Sequence, residues 1–231
     1  MILSVIYLNF ERRIVMVCKY KAVLFDFDGT FADTGRGVFS GVAYTVKKLG
    51  LEPLSQAALR AFIGPPLTDS FKLHLGLDEE EALSATDVFK EYYSAQGVYE
   101  FDVYDGITDI IENLRACGVK TGIASTKPKV FIEEILRKTG CDGYFDCISA
   151  PVSEERVEKS ELIANALNAL GIEKEKAVMI GDRHFDIEGA IGAEVDSIGV
   201  TYGYGSEDEL KKAGAAHVAG SAEEIGNILF D

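Results

Sequence analysis

Residues 21–30, KAVLFDFDGT, decide the fold of this 231-residue chain. The stretch is almost wholly apolar up to Asp26, as in a central strand of a parallel sheet that helices cover on both faces. Asp28 follows two residues later, and residues i and i+2 of a strand share one face. We therefore expect both carboxylates to project toward one point, with Phe27 turned into the core and Gly29 allowing a turn that a Cβ would hinder.

The second half of the chain alternates short apolar runs with helical patterns. The predicted strands cover residues 119–125, 147–150, 177–181 and 197–201. Apolar residues at three- and four-residue spacing predict helices over residues 107–116, 130–139, 160–170 and 187–193. Capping boxes at Ser206 with Glu209 and at Ser221 with Glu224 mark two late helix starts. This alternation predicts an α/β fold with a doubly wound parallel sheet.

Residues 35–104 break the alternation, because helical spacing dominates there and no strand pattern appears. The acidic run at residues 78–81 is typical of a helix N-terminus, and Gly64-Pro65-Pro66 must interrupt the helices because proline donates no backbone hydrogen bond. We predict a small helical domain, residues 35–104, inserted into a core domain formed by residues 16–34 and 105–231. Met16 is the expected start, which makes residues 1–15 an N-terminal extension.

Composition excludes several classes of protein. Apolar residues make up 47% of the chain, enough for a buried core, and the net charge of −15 at pH 7 repels nucleic acid polymers and anionic membrane surfaces. The apolar run at residues 1–10 is too short to span a bilayer and lacks the preceding basic residues of a signal peptide. The four cysteines form no CxxC pair or metal-binding spacing, so we expect a reduced, cytoplasmic protein. They are Cys18, Cys117, Cys141 and Cys147.

Polar residues that could take part in a site also occur at or after other predicted strands. Ser125 and Thr126 end one strand, Lys159 precedes a helix, and Asp182 and Asp186 follow a third strand. Taken singly, these residues are also explained as a helix cap, a solvated lysine and acids at a helix N-terminus. Strand ends of a parallel sheet meet at one edge, where ligands bind. Oxygen-only ligands at this density suit a hard cation such as Mg²⁺.

Other metal and nucleotide sites find no support in the sequence. The three histidines, His74, His184 and His217, are scattered without the spacing of a zinc site. No Walker GxxxxGK occurs, and no GxGxxG opens a helix after a strand.

The order of DxDGT at Asp26, then Ser125, Lys159 and GDxxxD at Asp182 resembles the haloacid dehalogenase superfamily of phosphohydrolases. The resemblance covers residue 21 to the C-terminus, and the helical insert looks like the cap of that superfamily. Residues 63–67, IGPPL, and 201–205, TYGYG, make the chain look most like phosphoglycolate phosphatases.

The resemblance implies a role for each motif. Asp26 would be the nucleophile that forms an aspartyl-phosphate, and Asp28 the general acid and base. Mg²⁺ would be held by Asp26, the backbone carbonyl of Asp28 and Asp182, with Asp186 orienting that shell or Lys159. The implied contacts to substrate come from Gly29, Thr30, Ser125, Thr126 and Lys159.

The expected activity is hydrolysis of a small phosphate monoester, such as phosphoglycolate or a nucleoside monophosphate. A phosphosugar mutase also keeps both acids and remains an alternative. A receiver-like signalling module, which accepts phosphate without turnover, is an alternative of another class. The sequence leaves the substrate and the oligomeric state open.

Overall fold

The computed structural model describes residues 17–152 and 157–230. The predicted extension at residues 1–15 and the expected start at Met16 lie outside the described residues. Within the described ranges, no helix combines the length and the apolar character needed to cross a membrane.

Two sheets are present in the described residues. Their strands are β1 (Ala22–Phe25), β2 (Ala32–Asp33), β3 (Asp102–Val103), β4 (Lys120–Ala124), β5 (Cys147–Ser149), β6 (Ala177–Gly181), β7 (Asp196–Val200) and β8 (His217–Ala219). Six of them form a parallel sheet in the order β5-β4-β1-β6-β7-β8, while β2 and β3 pair antiparallel. The predicted doubly wound parallel sheet is confirmed.

The helices cover the sheet and fill the interval between β2 and β3. They are α1 (Gly35–Lys48), α2 (Gln56–Arg60), α3 (Leu67–Leu75), α4 (Glu79–Ala95), α5 (Ile107–Ala116), α6 (Lys129–Thr139), α7 (Lys159–Leu170), α8 (His184–Gly192), α9 (Glu207–Ala213) and α10 (Ala222–Leu229). Helices α1 to α4, here called the cap helices, follow one another without an intervening strand. They share a buried cluster with one face of the sheet, so a separate domain at residues 35–104 stays a prediction.

The register of the sheet explains why strand ends meet. Phe25 of β1 is level with Ile123 of β4 and Ile180 of β6. The residues that follow these three strands therefore emerge at one edge. Alternate residues of β1 face opposite layers: Val23 and Phe25 belong to one buried cluster, and Ala22 and Leu24 to the other.

Three short strands were not predicted. Residues 35–104 were expected to contain no strand, yet β3 lies within them, and β2 and β8 were also missed. Strands of two and three residues are too short to display a period of two.

Local signals placed several helix starts correctly. Asp78 caps α4 through a complete capping box with Glu81. Ser206 and Ser221 also accept hydrogen bonds from the backbone three residues on, as predicted. Neither predicted box is complete, however: the Glu209 side chain accepts from the His184 backbone N–H, and the Glu224 side chain accepts from the Gly220 N–H.

Candidate active site

The Asp26 to Gly29 turn leaves the sheet at its centre. Asp26 is buried directly after β1 and its N–H donates to the carbonyl of Ile180 at 2.8 Å. Phe27 is fully buried, as predicted. Gly29 has a φ of +83°, and a Cβ there would lie 2.3 Å from Asp182 Oδ2, so only glycine fits this turn.

Three carboxylates form a buried cluster beside this turn. One oxygen each from Asp26, Asp182 and Asp186 lies within 4.8 Å of the others. Burial, with the charges of Asp186 and Asp26, holds the pKa of Asp182 well above its ordinary value. Burial also raises the pKa of Asp186 to about 6, although Lys159 opposes the shift.

Lys159 contacts two of these carboxylates. Its Nζ lies 2.9 Å from Asp26 Oδ1 and 2.8 Å from Asp186 Oδ1, and it donates a hydrogen bond to the carbonyl of Ala124 at 3.1 Å. Burial alone would lower the pKa of Lys159, but the two carboxylates outweigh it and hold that pKa above its ordinary value. The lysine predicted to contact substrate is therefore also the counter-ion of the acidic cluster.

The cluster suits a divalent cation. Asp26 Oδ1 and Asp186 Oδ1 are buried and accept no hydrogen bond within the described part of the chain, and Lys159 is their ion-pair partner. One ammonium leaves three close carboxylates with excess negative charge. An oxygen-only donor set of this kind fits Mg²⁺.

Asp182 is held from two sides. Its Oδ2 accepts a 2.7 Å hydrogen bond from the Tyr204 N–H, and its Oδ1 accepts a 3.4 Å bond from the hydroxyl of Thr30. Thr30 is fully buried behind the cluster, so contact with substrate stays a prediction for this residue. Asp186 accepts from the Arg183 N–H at 3.0 Å at the start of α8, where sequence spacing placed it.

The carboxylate of Asp28 pairs with a different lysine, Lys127, to which the sequence analysis assigned no role. Lys127 Nζ lies 3.0 Å from Asp28 Oδ1 and 3.2 Å from Oδ2, and donates to the Tyr93 hydroxyl at 2.7 Å. The Thr34 hydroxyl donates to Asp28 Oδ1 at 2.6 Å. The two carboxylates of DxDGT thus have separate counter-ions. A lysine two residues after Ser125, at the same strand end, was the signal that could have identified it.

Both aspartates line a small cavity under the cap helices. It has a volume of about 70 Å³, and Ser125, Thr126 and Lys127 complete its polar wall. Cap residues supply an apolar wall that includes Val38, Phe62, Leu67 and Phe89. A water needs roughly 10–15 Å³ of such space, so the cavity is large enough for a small polar group.

Ser125 and Thr126 are placed differently within that wall. Ser125 Oγ accepts from the Lys127 N–H at 3.3 Å, and the Thr126 hydroxyl donates to the carbonyl of Gly64 at 3.2 Å. Thr126 therefore joins the β4 end of the sheet to the Gly64-Pro65-Pro66 loop of the cap helices.

This chain is similar to known proteins over most of its length. A family model described as "Haloacid dehalogenase-like hydrolase" matches residues 23–200. A 5'-nucleotidase from Pseudomonas aeruginosa is 37% identical over 91% of this chain and 96% of its own length. Tyrosine-protein kinase PtkA from Mycobacterium tuberculosis is 33% identical over 90% of this chain and 72% of its own length.

Further relatives and a solved structure extend this picture. Proteins named phosphoglycolate phosphatase or pyrophosphatase match at 25–31% identity, over 80–91% of this chain and 84–97% of theirs. The crystal structure of a "predicted phosphatase from Clostridium acetobutylicum" superimposes with a TM-score of 0.85 at 38% identity. That superposition covers 90% of this chain and 97% of the other.

Proposed function

This chain belongs to the haloacid dehalogenase-like hydrolase family, as the motifs predicted, and we propose that it is a Mg²⁺-dependent phosphatase acting through an aspartyl-phosphate at Asp26. The observation that carries the proposal is the position of Asp26. Its carboxylate belongs to the buried acidic cluster and also lines the cavity, so a bound phosphoryl group would meet it directly.

The proposed reaction has two displacements. One oxygen of Asp26 forms a bond to phosphorus while the bond from phosphorus to the leaving oxygen breaks, and Asp28 gives its proton to that oxygen. A water then attacks phosphorus, Asp28 takes the proton of the water, and the bond between phosphorus and Asp26 breaks. Lys127 and Thr34 orient Asp28 for both proton transfers.

Asp26, Asp182 and Asp186, with the backbone carbonyl of Asp28, would hold the Mg²⁺. When bound, the ion supplies positive charge that offsets the carboxylates and the phosphoryl oxygens. Lys159 adds a second positive charge at the same place, so the site can accept an anion despite the net charge of −15.

Gly29, Thr30, Ser125, Thr126 and Lys159 are proposed to contact the phosphoryl group. Buried N–H, hydroxyl and ammonium donors placed around transferring oxygens contribute most of the catalysis in reactions with a loose transition state. For Ser125 and Thr126, the support is that both line the cavity beside Asp26. For Lys159, it is the ion pair with Asp26.

The substrate is proposed to be a small phosphate monoester of the phosphoglycolate or nucleoside monophosphate kind, met in the cytoplasm. The relatives' names support phosphate-ester hydrolysis but differ in substrate. The test is to measure, in the presence of Mg²⁺, the hydrolysis of phosphoglycolate, nucleoside monophosphates and hexose phosphates. A tenfold preference in kcat/KM, about 1.4 kcal/mol of transition-state binding, would name the substrate class.

The nucleophile is tested with Asp26→Asn on an aryl phosphate. The unaltered protein should release many equivalents of phosphate per chain with Mg²⁺, and the variant none. Asp142→Asn is the matched control, because Asp142 is exposed in the turn after α6. Undiminished turnover by Asp26→Asn would show that another group attacks phosphorus.

The same experiments separate the alternatives. A receiver-like module would give one long-lived phosphorylation of Asp26 per chain without turnover. A mutase would convert a hexose phosphate into a positional isomer, visible by ³¹P NMR, instead of releasing phosphate.

A further inference from the structure

The two linkers between the sheet and the cap helices contain β2 and β3, whose antiparallel pair is here called the ribbon. Ala32 is paired with Val103 and Asp33 with Asp102, and α1 begins at Gly35 two residues later. Any displacement of the cap helices relative to the sheet has to be absorbed where the chain leaves this ribbon, because the paired strands themselves are hydrogen-bonded. Residues 33–35 are therefore one side of a hinge.

The hydroxyl of Tyr204 lies at this hinge, although its residue belongs to the loop after β7. It donates to Asp33 Oδ1 at 2.5 Å and accepts from the Gly35 N–H at 2.8 Å. The Gly35 N–H also donates to Asp33 Oδ1 at 3.0 Å, which closes a three-membered network. The first N–H groups of a helix have no partner within the helix, and Tyr204 supplies one for α1.

The backbone of the same residue holds the acidic cluster. The Tyr204 N–H donates to Asp182 Oδ2 at 2.7 Å. Its neighbours leave this backbone no room to move: a Cβ on Gly203 would lie 2.3 Å from the carbonyl oxygen of Gly29, and one on Gly205 would lie 2.0 Å from that of Asp182. A close-packed backbone of this kind transmits a displacement instead of absorbing it.

We propose that Tyr204 is a positioning residue that couples the hinge of the cap helices to Asp182. Its hydroxyl fixes the start of α1 and its N–H fixes one oxygen of Asp182. The arrangement of the cap helices in this structure and the geometry of the acidic cluster therefore favour each other. By linkage, a cation that binds the cluster tightens the hinge, and a tightened hinge strengthens cation binding by the same factor. The coupling rests on the proposed function in that Asp182 is taken as a Mg²⁺ ligand.

The test is the Mg²⁺ dependence of hydrogen exchange at the Gly35 amide, measured by NMR on the full chain. In the unaltered protein, saturating Mg²⁺ should slow this exchange severalfold. Tyr204→Phe removes the hydroxyl and keeps the N–H to Asp182. It should abolish the Mg²⁺ response at Gly35. It should also raise the Mg²⁺ dissociation constant, measured by calorimetry, by the same factor by which Mg²⁺ slows exchange at Gly35 in the unaltered protein.

Tyr202→Phe is the matched control, since it removes a hydroxyl from the same loop that donates to the carbonyl of Thr30 at 3.0 Å and not to the hinge. It should keep the Mg²⁺ response at Gly35. Asp33→Ala is the second variant, which removes the acceptor of the Tyr204 hydroxyl but keeps that hydroxyl and the Gly35 N–H, and should reduce the response without abolishing it. Asp33→Asn, which keeps an acceptor oxygen, should restore it.

The outcomes are distinguishable. A Mg²⁺ response at Gly35 that survives Tyr204→Phe overturns the coupling. So does an undiminished response in Asp33→Ala, or equal weakening of Mg²⁺ binding by Tyr204→Phe and Tyr202→Phe. Mg²⁺ binding to the unaltered protein with no change at Gly35 overturns the coupling alone. Absence of Mg²⁺ binding overturns the coupling and the proposed function together.

Discussion

Replacing Lys159 by methionine tests the electrostatics of the acidic cluster most directly. The substitution keeps an unbranched side chain of similar length and removes the ammonium that lies 2.9 Å from Asp26 and 2.8 Å from Asp186. Three buried carboxylates would then remain within 4.8 Å of one another without that ammonium. Lys159→Met should therefore lower the free energy of unfolding strongly when divalent cations are absent.

The expected loss follows from the burial of the pair. Removing one partner of a buried ion pair costs about 3–5 kcal/mol, because the other charge stays buried and uncompensated. For a chain of this size each kcal/mol lowers Tm by roughly 2–4 °C, so a decrease of roughly 6–20 °C is expected. The exposed pair of Lys174 with Glu194 at 2.7 Å offers a matched control, since solvent screens this pair and Lys174→Met should leave Tm nearly unchanged.

The assay is thermal unfolding followed by circular dichroism in EDTA and in Mg²⁺, at pH 5 and pH 7.5. The folded cluster takes up protons because the pKa of Asp182 and that of Asp186 are raised above their unfolded values. Stability from these groups is therefore present at low pH and is lost as pH rises through about 6, so the cost of Lys159→Met should be smaller at pH 5. Mg²⁺ should stabilise the variant more than the unaltered protein, at pH 7.5 above all.

A loss no larger than that of Lys174→Met in EDTA would refute this reasoning. So would an equal gain from Mg²⁺ in Lys159→Met and the unaltered protein, because the ion would then not compensate for the missing ammonium.

Three further predictions concern other parts of the molecule. In the unaltered protein, the increase of Tm by Mg²⁺ should grow from pH 5 to pH 7.5, because Asp186, with a pKa of about 6, has to lose its proton to bind a cation; a constant increase would contradict this. Asp78→Ala should lower the free energy of unfolding, measured in urea, by about 1 kcal/mol, because the α4 capping box is lost, and KM should stay unchanged. A changed KM would show that the N-terminus of α4 influences the active site. Gly205→Ala should abolish Mg²⁺ binding in calorimetry because the new Cβ would lie 2.0 Å from the Asp182 carbonyl oxygen, whereas Gly143→Ala, with open space around it, should bind normally.

Much of the fold was predictable because its signals are local. The β6 strand, Ala177–Gly181, and the α5 helix, Ile107–Ala116, have the bounds that apolar patterning predicted. Cap signals such as Asp78 with Glu81 are equally local, because each joins residues three positions apart. The short strands β2, β3 and β8 escaped prediction, since their pairing is decided by neighbouring strands and not by their own pattern.

The site was predictable only in part. Strand-end positions identified Asp26, Ser125, Asp182 and Asp186 as candidates, because parallel strands bring their carboxyl ends to one edge. That edge does bring Asp26, Asp182 and Asp186 into one cluster. No spacing rule, however, indicated that Asp26 and Asp28 would each have a lysine of its own.

The sequence by itself determined the alternation of strand and helix and the kind of chemistry, because apolar periodicity, capping residues and DxDGT act over a few neighbouring residues. Only the tertiary structure decided which groups face one another: Lys127 and Tyr93 at Asp28, and Tyr204 at Asp33. These partners are separated by long stretches of chain. Their contacts form when the whole sheet and the cap helices pack together, and no local free energy encodes them.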